Sequence, residues 1–441
     1  MQPPATETAW PPARTAWFAA IVLMLANTLA FVDRQALALL VQPIKQDLGA
    51  SDTAMSLLYG LSFTMFYVMV GLPVARLADR SNRRNIIAFS IFLWSIATAA
   101  CGLARSFGTL FAARVAVGAG EGGLSPSAYS MLSDYFPRNK LAAAMGVYQM
   151  GIYLGGALAL VLGGLIAGSI PPTSTVDLPL LGATKGWQFL FLLLGIPGIL
   201  LSLLLLAVRE PARRVSGGDQ EVAPLSAFFR HLGGRKAAYF GIGLGFALMI
   251  LVGNGTGAWI PAFFERRFGW STAEIGAKYG LIVFFCGTSG ALIGGFVASW
   301  LQGRGIARGN LWAAVFGFTV LIPITIAFPL MPTPELALAL IGAMNFFAGF
   351  NFGGGLATLQ ELTPNRMRAL VSAGYMLLIN LVGATLGPTA VALVTDYWFR
   401  DPAALHYAIS FTCAIASPLS LVCLLIGMAG VRRAQRQAEL S

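Results

Sequence analysis

Long apolar runs alternate with short polar segments rich in arginine along almost the whole chain. Ten runs of at least 20 residues contain no Asp, Glu, Lys or Arg: 53–75, 85–104, 141–176, 186–208, 237–264, 279–303, 309–334, 336–360, 369–395 and 402–431. Two further apolar runs, 15–44 and 108–133, carry ionisable residues. A helix needs about 20 apolar residues to cross a bilayer, whereas membrane-barrel strands alternate over about ten. The pattern therefore predicts an all-α polytopic membrane protein with twelve transmembrane helices, numbered here as spans one to twelve.

Composition supports this prediction, and the placement of basic residues gives it an orientation. Charged residues make up only 11 % of the 441 residues, where soluble proteins have about 25 %. With the N-terminus in the cytoplasm, twenty of the 29 basic residues fall on the cytoplasmic side and six outside, in agreement with the positive-inside rule. We therefore expect a cell-membrane protein with both termini cytoplasmic. Its net charge of +11 then faces membrane lipid and not nucleic acid.

The sequence gives little support for a cleavable signal peptide, a disulfide, a metal site or an enzyme active site. The first apolar run is too long for a cleavable signal peptide. All four cysteines lie in predicted spans, so we expect neither a disulfide nor a metal site. His231 and His406 have no nucleophile and acid around them, so we expect no enzyme, no catalytic residue and no cofactor, with protons as the coupling ion. A membrane-embedded enzyme is a remote alternative, and we expect a monomer.

A charged linker divides the chain into two halves of six spans that resemble each other. Asp134-Tyr-Phe-Pro137 precedes span five, and Glu361-Leu-Thr-Pro364 precedes span eleven, 227 residues later. An even number of spans in each half gives both copies the same membrane orientation. We predict these parts: N-terminus 1–14, first half 15–208, linker 209–236, second half 237–431 and C-terminus 432–441.

The loop after span two resembles the signature of the major facilitator superfamily, roughly G-x-L-x-D-R-x-G-R-R. It reads Ala75-Arg-Leu-Ala-Asp-Arg-Ser-Asn-Arg-Arg84, with alanine and asparagine in place of the two glycines. This form, together with Asp33-Arg34 in span one and Arg114-x-x-x-Gly-x-Gly-Glu121 in span four, is similar to the spinster-like branch. The resemblance implies two parallel repeats with a substrate site between them near the midplane, and secondary active transport by alternating access.

Four ionisable side chains lie deep inside predicted spans: Asp33, Arg34, Arg114 and Glu121. Such groups are costly in a bilayer and indicate function. At ~1.5 Å per helical residue, Arg114, Asp33 and Glu121 lie ~9, ~16 and ~20 Å below the outer end. We predict a proton-coupling site in which Arg114 pairs with one carboxylate at a time, while Arg34 pairs with another polar group. The alternative is a fixed ion pair that never titrates. A sodium site is disfavoured, because no broken-helix pattern is evident.

A second charged set, called here the inner gate set, lies at the predicted inner ends of the spans. Its members are Arg76, Asp79, Arg80, Arg83, Arg84, Asp134, Arg138, Glu361, Arg366 and Arg368. The resemblance implies that Asp79 sits at the N-terminus of span eleven and that Arg83 pairs with Asp134. Such links would keep the inner side closed in the outward-facing state. The alternative is ordinary positive-inside surface charge.

Polar and aromatic residues within the spans are candidates for contact with the substrate. They are Asn27, Tyr59, Tyr148, Asn345, Phe350, Asn351, Tyr375 and Asn380. The second half has no deep charge. A central cavity would then have one charged wall from the first half and one apolar wall from the second, which suits an amphiphile with a polar head and an acyl tail. Animal spinster-like proteins move lysophospholipids and sphingoid phosphates, so the resemblance favours a lipid-like substrate. Two alternatives stay open: a small organic anion held by Arg114, and aromatic residues that only pack helices.

Overall fold

The computed structural model describes residues 10–78, 80–179, 182–213, 225–304, 306, 308–351, 354–364 and 367–440. Its α-helices are Ala13–Leu39, Val41–Leu48, Asp52–Tyr59, Leu61–Ala78, Arg83–Cys101, Phe107–Glu121, Leu124–Tyr135, Arg138–Ser169, Gly186–Leu205, Leu225–Gly234, Lys236–Phe268, Thr272–Ile282, Thr288–Gly303, Gly309–Ala327, Pro334–Ala348, Gly354–Glu361, Arg368–Leu378, Leu386–Leu393 and Leu405–Leu440. Segments of π-helix are Val283–Gly287, Ile379–Thr385 and Val394–Phe399, and 3₁₀ segments are Phe328–Leu330, Gly349–Asn351 and Pro402–Ala404. Strands Thr175–Leu178 and Gly182–Lys185 form an antiparallel hairpin.

These helices confirm the predicted all-α, twelve-span fold class. In the described chain, ten helical stretches are long and apolar enough to cross a membrane: Ala13–Leu39, Asp52–Ala78, Arg83–Cys101, Ala143–Ser169, Gly186–Leu205, Lys236–Phe268, Thr272–Gly303, Gly309–Leu330, Leu370–Phe399 and Pro402–Arg436. Span four consists of the two helices Phe107–Glu121 and Leu124–Tyr135. Span ten begins as the shorter apolar helix Pro334–Ala348. These two bring the spans to twelve.

Span five is shorter than its apolar run of 141–176 predicts. The helix ends at Ser169, just before Pro171 and Pro172. Proline lacks a backbone donor and clashes with the preceding turn, which favours a helix end just before this pair. The apolar residues that follow enter the hairpin before span six, where Thr175 pairs with Lys185.

Helix packing divides the chain into two compact units. The first comprises 1–35, 66–159 and 170–218, and the second comprises 36–65, 160–169 and 219–441. Within the first unit, span three packs against spans four and six, and a Cβ on Gly120 would lie 2.8 Å from Trp94 Cβ. Within the second, span seven packs along span twelve, where Gly241 meets Gly427. Small residues let helix backbones approach this closely in membrane proteins.

Candidate functional site

A break in span four positions Glu121. The helix Phe107–Glu121 ends here, and two glycines lead into the next helix. A Cβ on Gly122 would lie 2.8 Å from the backbone oxygen of Tyr67. Because glycine has no side chain, span two can pass close to this break. Glu121 therefore lies beside the contact of spans two and four and is only 1 % exposed.

The hydrogen bonds to Glu121 come from Arg34 of span one. Arg34 Nε and Nη2 both donate to Glu121 Oε2, at 3.0 and 2.6 Å. The guanidinium also lies over the rings of Phe31 and Tyr67, 4.8 and 5.2 Å from their centroids. The side chain of Arg34 is 28 % exposed, whereas that of Glu121 is fully buried. The pair thus joins a buried carboxylate to a cation that is still accessible.

The bonds to Glu121 Oε2 thus come from Arg34, whereas the prediction was that Arg114 pairs with one carboxylate at a time. Arg114 Nη1 instead lies 3.5 Å from the backbone oxygen of Asp33, and Asp33 Oδ2 accepts a hydrogen bond from the Thr98 hydroxyl at 3.1 Å. Adjacent helical residues point about 100° apart, so Asp33 turns towards span three while Arg34 turns towards span four. The charges of Glu121, Arg114 and Arg34 all act on Asp33. The four predicted residues therefore do form one cluster.

Two carboxylate oxygens in this cluster are buried without a hydrogen-bond partner among the described residues. They are Asp33 Oδ1 and Glu121 Oε1. A buried oxygen left unsatisfied is costly, and a proton bound there would remove the charge that makes it so. A fixed ion pair accounts for Glu121 Oε2 but not for these two oxygens. Both oxygens are therefore candidates for the predicted proton-coupling site, which stays a prediction.

A series of hydroxyl groups runs beside the ion pair, and sequence reasoning identified only part of it. The Tyr67 hydroxyl donates to Ser125 Oγ, which lies 3.3 Å from the Tyr148 hydroxyl. Tyr148 is fully buried and contacts Tyr129 edge-on. Asn27 Nδ2 donates to the Tyr148 carbonyl at 3.0 Å. The predicted cavity residues Asn27 and Tyr148 therefore join span one to span five in this conformation.

Two predicted cavity residues of the second half occupy packing positions. Phe350 is 7 % exposed and contacts three phenylalanines of spans nine and ten. Tyr375 is 9 % exposed and lies edge-on to Phe246. Both residues therefore pack against other rings in this structure, and their contact with substrate stays a prediction.

Other predicted cavity residues of the second unit are half-buried polar groups. Asn345 and Asn380 each donate to a carbonyl one helical turn earlier, at 2.9 and 2.8 Å. Asn380 lies in the π-helical segment Ile379–Thr385, a geometry frequent at functional sites. Tyr59 is half-buried, and the side chain of Asn351 lies outside the described residues.

The predicted pair of Arg83 and Asp134 is present at the inner end of the first unit. Arg83 Nη1 lies 2.5 Å from Asp134 Oδ2, and the Arg83 side chain is 1 % exposed. Arg83 Nε lies 2.7 Å from Glu210 Oε1, a partner that carried no signal in the sequence. Glu210 Oε2 also accepts from the backbone N–H of Arg84 at 2.9 Å. Arg83 thus ties together the ends of spans three, four and six.

The rest of the inner gate set is held less tightly. Arg84 donates to carbonyls at the end of span six, and Arg368 to the carbonyl of Gln360 at 3.0 Å. Three members are exposed: Arg76, Arg80 and Glu361. Three lie outside the described residues: Asp79, Arg366 and the side chain of Arg138. The gating role of the set stays a prediction.

A second ionic cluster, at the predicted outer side of the second unit, was missed in the sequence. Asp52 is fully buried. Lys45 Nζ lies 2.5 Å from its Oδ1, and Arg266 donates to both of its oxygens, at 2.6 and 2.7 Å. Asp396 Oδ2 accepts from the backbone N–H and the hydroxyl of Thr53, both at 2.7 Å. This outer cluster joins the ends of spans two, seven and eleven.

We expect Asp52→Asn to loosen these helix ends, because it leaves Lys45 and Arg266 without their shared carboxylate. The readout is a cysteine at Ser56, a position that is 1 % exposed. In a Ser56→Cys background, Asp52→Asn should speed labelling by a membrane-impermeant maleimide by about tenfold, equivalent to about 1.4 kcal/mol.

The matched control is Glu274→Gln. Glu274 also lies at the predicted outer side, but its pair with Lys278 is long, at 3.8 Å, and half-exposed. Exposed pairs contribute little, so the labelling rate should not change. Equal rates for Asp52→Asn and Glu274→Gln would refute a closing role for the outer cluster.

Comparison with known proteins places the chain among membrane transporters. Residues 23–388 match the profile of the Major Facilitator Superfamily. The chain is 30 % identical to an "MFS-type efflux pump" of Mycolicibacterium smegmatis, over 95 % of this chain and 94 % of that protein. It is 24 % identical to a "Probable L-galactonate transporter" of Escherichia coli, over 86 % and 83 % of the two chains.

A solved structure extends the resemblance to the spinster-like branch. It is a bacterial homologue of the human lysosomal transporter Spinster, in an inward-facing and unoccupied conformation. The TM-score is 0.75 at 27 % identity, and the match covers 97 % of this chain and 98 % of that one. The sequence-based resemblance to this branch is thereby confirmed.

Proposed function

The chain belongs to the Major Facilitator Superfamily and is a multi-pass secondary transporter, and from this premise we propose that it couples proton movement to transport of an amphiphile with an anionic head group. The proposal places it in the cell membrane with both termini in the cytoplasm, as the twenty-to-six division of its basic residues favours. It acts as a carrier and not as an enzyme, by alternating access of a central site.

The observation that carries this proposal is the ion pair between Arg34 and Glu121. Arg34 is 28 % exposed and its partner is buried, so the arginine is the member of the pair that an incoming anion can contact. An arginine fork binds phosphate or carboxylate through two parallel hydrogen bonds. The neighbouring rings of Phe31 and Tyr67 offer apolar surface for the part of an amphiphile next to its head group.

Competition for Arg34 explains how substrate and proton are linked. When an anion takes the Arg34 guanidinium, Glu121 loses the charge that offsets its burial. A buried carboxylate without a partner is neutralised by taking up a proton. Asp33, whose Oδ1 is also unsatisfied, is a second position for a proton. Release of the substrate restores the ion pair and expels the proton, which completes a cycle.

A proton-coupled symporter of small organic anions is the second candidate. It is favoured by the similarity to the probable L-galactonate transporter, and Arg34 serves a carboxylate as well as a phosphate. The two candidates differ in what lies beyond the anionic group, an acyl chain or a polar sugar acid.

Transport assays in proteoliposomes test both candidates. We expect an acidic exterior to drive uptake of lysophosphatidylglycerol but not of lysophosphatidylcholine, whose head group carries no net charge. Arg34→Lys should lower uptake by about tenfold, because lysine cannot form the two-pronged contact. Arg105→Lys, at an exposed site, is the control and should transport normally.

The substrate panel also separates the candidates from one another. Uptake of galactonate alone would favour the organic-anion symporter over the amphiphile carrier. Normal uptake by Arg34→Lys, or transport of both substrates without any response to the pH gradient, would count against the proposed mechanism.

A further inference from the structure

A cavity of about 180 Å³ lies at the predicted inner end of the second unit. It is lined by Arg235, Arg308, Glu361, Leu362, Ala434 and Gln435. These residues come from the starts of spans seven and nine, the end of span ten and the extension of span twelve. The cavity is remote in sequence from Asp33, Arg34, Arg114 and Glu121, and Glu361 is the lining residue that belongs to the inner gate set.

The internal repeat relates this cavity to the Arg83 site of the first unit. Glu361 follows Asp134 by 227 residues, and Arg308 follows Arg83 by 225. The third member of the Arg83 site, beside Arg83 and Asp134, is Glu210. The residue 225 positions after Glu210 is Gln435. The second unit thus repeats the arginine and one acid, but a neutral amide stands where the first unit has a carboxylate.

This replacement leaves an arginine incompletely satisfied. Arg83 has ion pairs of 2.5 and 2.7 Å with Asp134 and Glu210. Among the described residues, Arg308 has no carboxylate within 4.0 Å, and its Nη2 is buried without a hydrogen-bond partner. A buried guanidinium nitrogen in this state is costly, so the cavity favours an acceptor from outside the chain.

Other cations add to the positive charge around the cavity. Arg235 is held at its edge by a hydrogen bond from Nη1 to the Leu362 carbonyl at 3.0 Å. Burial lowers the pKa of Arg308, Glu361 opposes this effect, and Arg432 lowers the pKa further. Two arginines, Arg235 and Arg308, therefore line the space together with the acid Glu361, and Arg432 is close enough to act on Arg308.

We propose that this cavity binds a phosphate or phosphodiester anion, which takes the place of the carboxylate that Glu210 supplies in the first unit. Arginine binds phosphate oxygens through charge-assisted hydrogen bonds, with a geometry that its planar fork matches. Arg308 Nη2 donates to the bound anion, and Arg235 completes the cation pair around it.

Two sources can supply this chemistry: the head group of an anionic lipid in the inner leaflet, or phosphate dissolved in the cytoplasm. Half-exposed tryptophans lie at the predicted inner ends of spans nine and eight, Trp312 under Arg432 and Trp300 under Arg304. Tryptophan is enriched at the level of lipid head groups, so a lipid phosphodiester can approach from the side and a free anion from the water.

Titration of the purified full-length protein tests the proposal and separates the sources. One arm follows binding of phosphatidylglycerol, against phosphatidylcholine, by native mass spectrometry. The other arm follows the melting temperature with inorganic phosphate against chloride at equal ionic strength. We expect the wild type to bind phosphatidylglycerol about tenfold more tightly than the Arg308→Gln variant, because the variant loses a charge-assisted hydrogen bond to the head group.

The decisive variant is Gln435→Glu, which restores the missing carboxylate and is expected to fold whether or not Arg308→Gln does. It should abolish anion binding, whereas Gln435→Ala and the exposed-site control Arg304→Gln should bind as the wild type does. A response to phosphatidylglycerol alone identifies a lipid head group, and a response to inorganic phosphate identifies a free anion. Binding by Gln435→Glu at wild-type strength, or no response of the wild type to either anion, would overturn the proposal.

Discussion

Replacement of Glu121 by glutamine is expected to abolish proton-driven accumulation of substrate while leaving substrate exchange intact. Glutamine keeps an oxygen that can accept from Arg34, which donates to Glu121 Oε2 at 3.0 and 2.6 Å in the wild type, but it cannot bind or release a proton. The exchange of one labelled substrate molecule for another does not require net proton movement. The variant should therefore carry substrate in both directions but no longer concentrate it.

The size of the effect follows from the gradient. One pH unit is worth about 1.4 kcal/mol per proton, so one proton per substrate gives about tenfold accumulation. In proteoliposomes with an imposed gradient of one unit, the wild type should approach this value and Glu121→Gln should remain near equal concentrations. Glu335→Gln, at an exposed acid, is the control and should accumulate normally. Wild-type accumulation by Glu121→Gln would remove Glu121 from the coupling mechanism.

The Arg83→Gln variant is expected to lose about 3–5 kcal/mol of unfolding free energy, as is typical when one partner of a buried ion pair is removed. The Arg83 side chain is 1 % exposed and pairs with both Asp134 and Glu210. Its removal takes away the cation that these two carboxylates share. Unfolding of the purified protein in detergent, followed by circular dichroism over a denaturant series, measures the change.

Two comparisons isolate the ion pairs from general effects of losing an arginine. Arg80→Gln removes a nearby arginine of the same loop that is exposed, and it should cost less than about 1 kcal/mol. Combining Arg83→Gln with Glu210→Gln should cost less than the sum of the single variants, since interacting residues are not additive. A cost for Arg83→Gln as small as that of Arg80→Gln would show that this site does not stabilise the fold.

The twelve spans were predictable because each crossing of a bilayer requires about 20 apolar residues. Each segment meets this requirement with its own residues, without contacts from elsewhere in the chain. The end of span five could not be located from the length of its apolar run. The apolar run continues to 176, but the helix ends at Ser169, just before Pro171 and Pro172. Counting apolar residues gives the existence of a span more reliably than its end.

The deep charges were identifiable from the sequence, but their pairing was not. Asp33 and Arg34 are neighbours in the chain, and the rotation of span one decides which of them faces span four. That rotation depends on packing against several helices, which no local pattern encodes. The prediction therefore named these four residues but not the pairing of Arg34 with Glu121.

Contacts between residues far apart in sequence escaped prediction for the same reason. Glu210 forms an ion pair with Arg83, but it lies in a segment that the sequence identified only as a charged linker. Asp52 and Arg266 are 214 positions apart and resembled ordinary loop charges. The pair of Arg83 with Asp134 was foreseen only because the family resemblance supplied it. For Gln435, the internal repeat gave a usable signal, since its offset from Glu210 could have been read from the sequence.

The most direct test of the central claim is to measure proton and substrate movement together in the same proteoliposomes. A pH-sensitive dye trapped inside reports protons while radiolabelled lysophosphatidylglycerol reports substrate, with no pH gradient imposed. The account predicts that substrate addition acidifies the interior of wild-type vesicles in proportion to uptake, and that Glu121→Gln vesicles take up substrate without acidification. Substrate uptake by the wild type with no change in internal pH would contradict it.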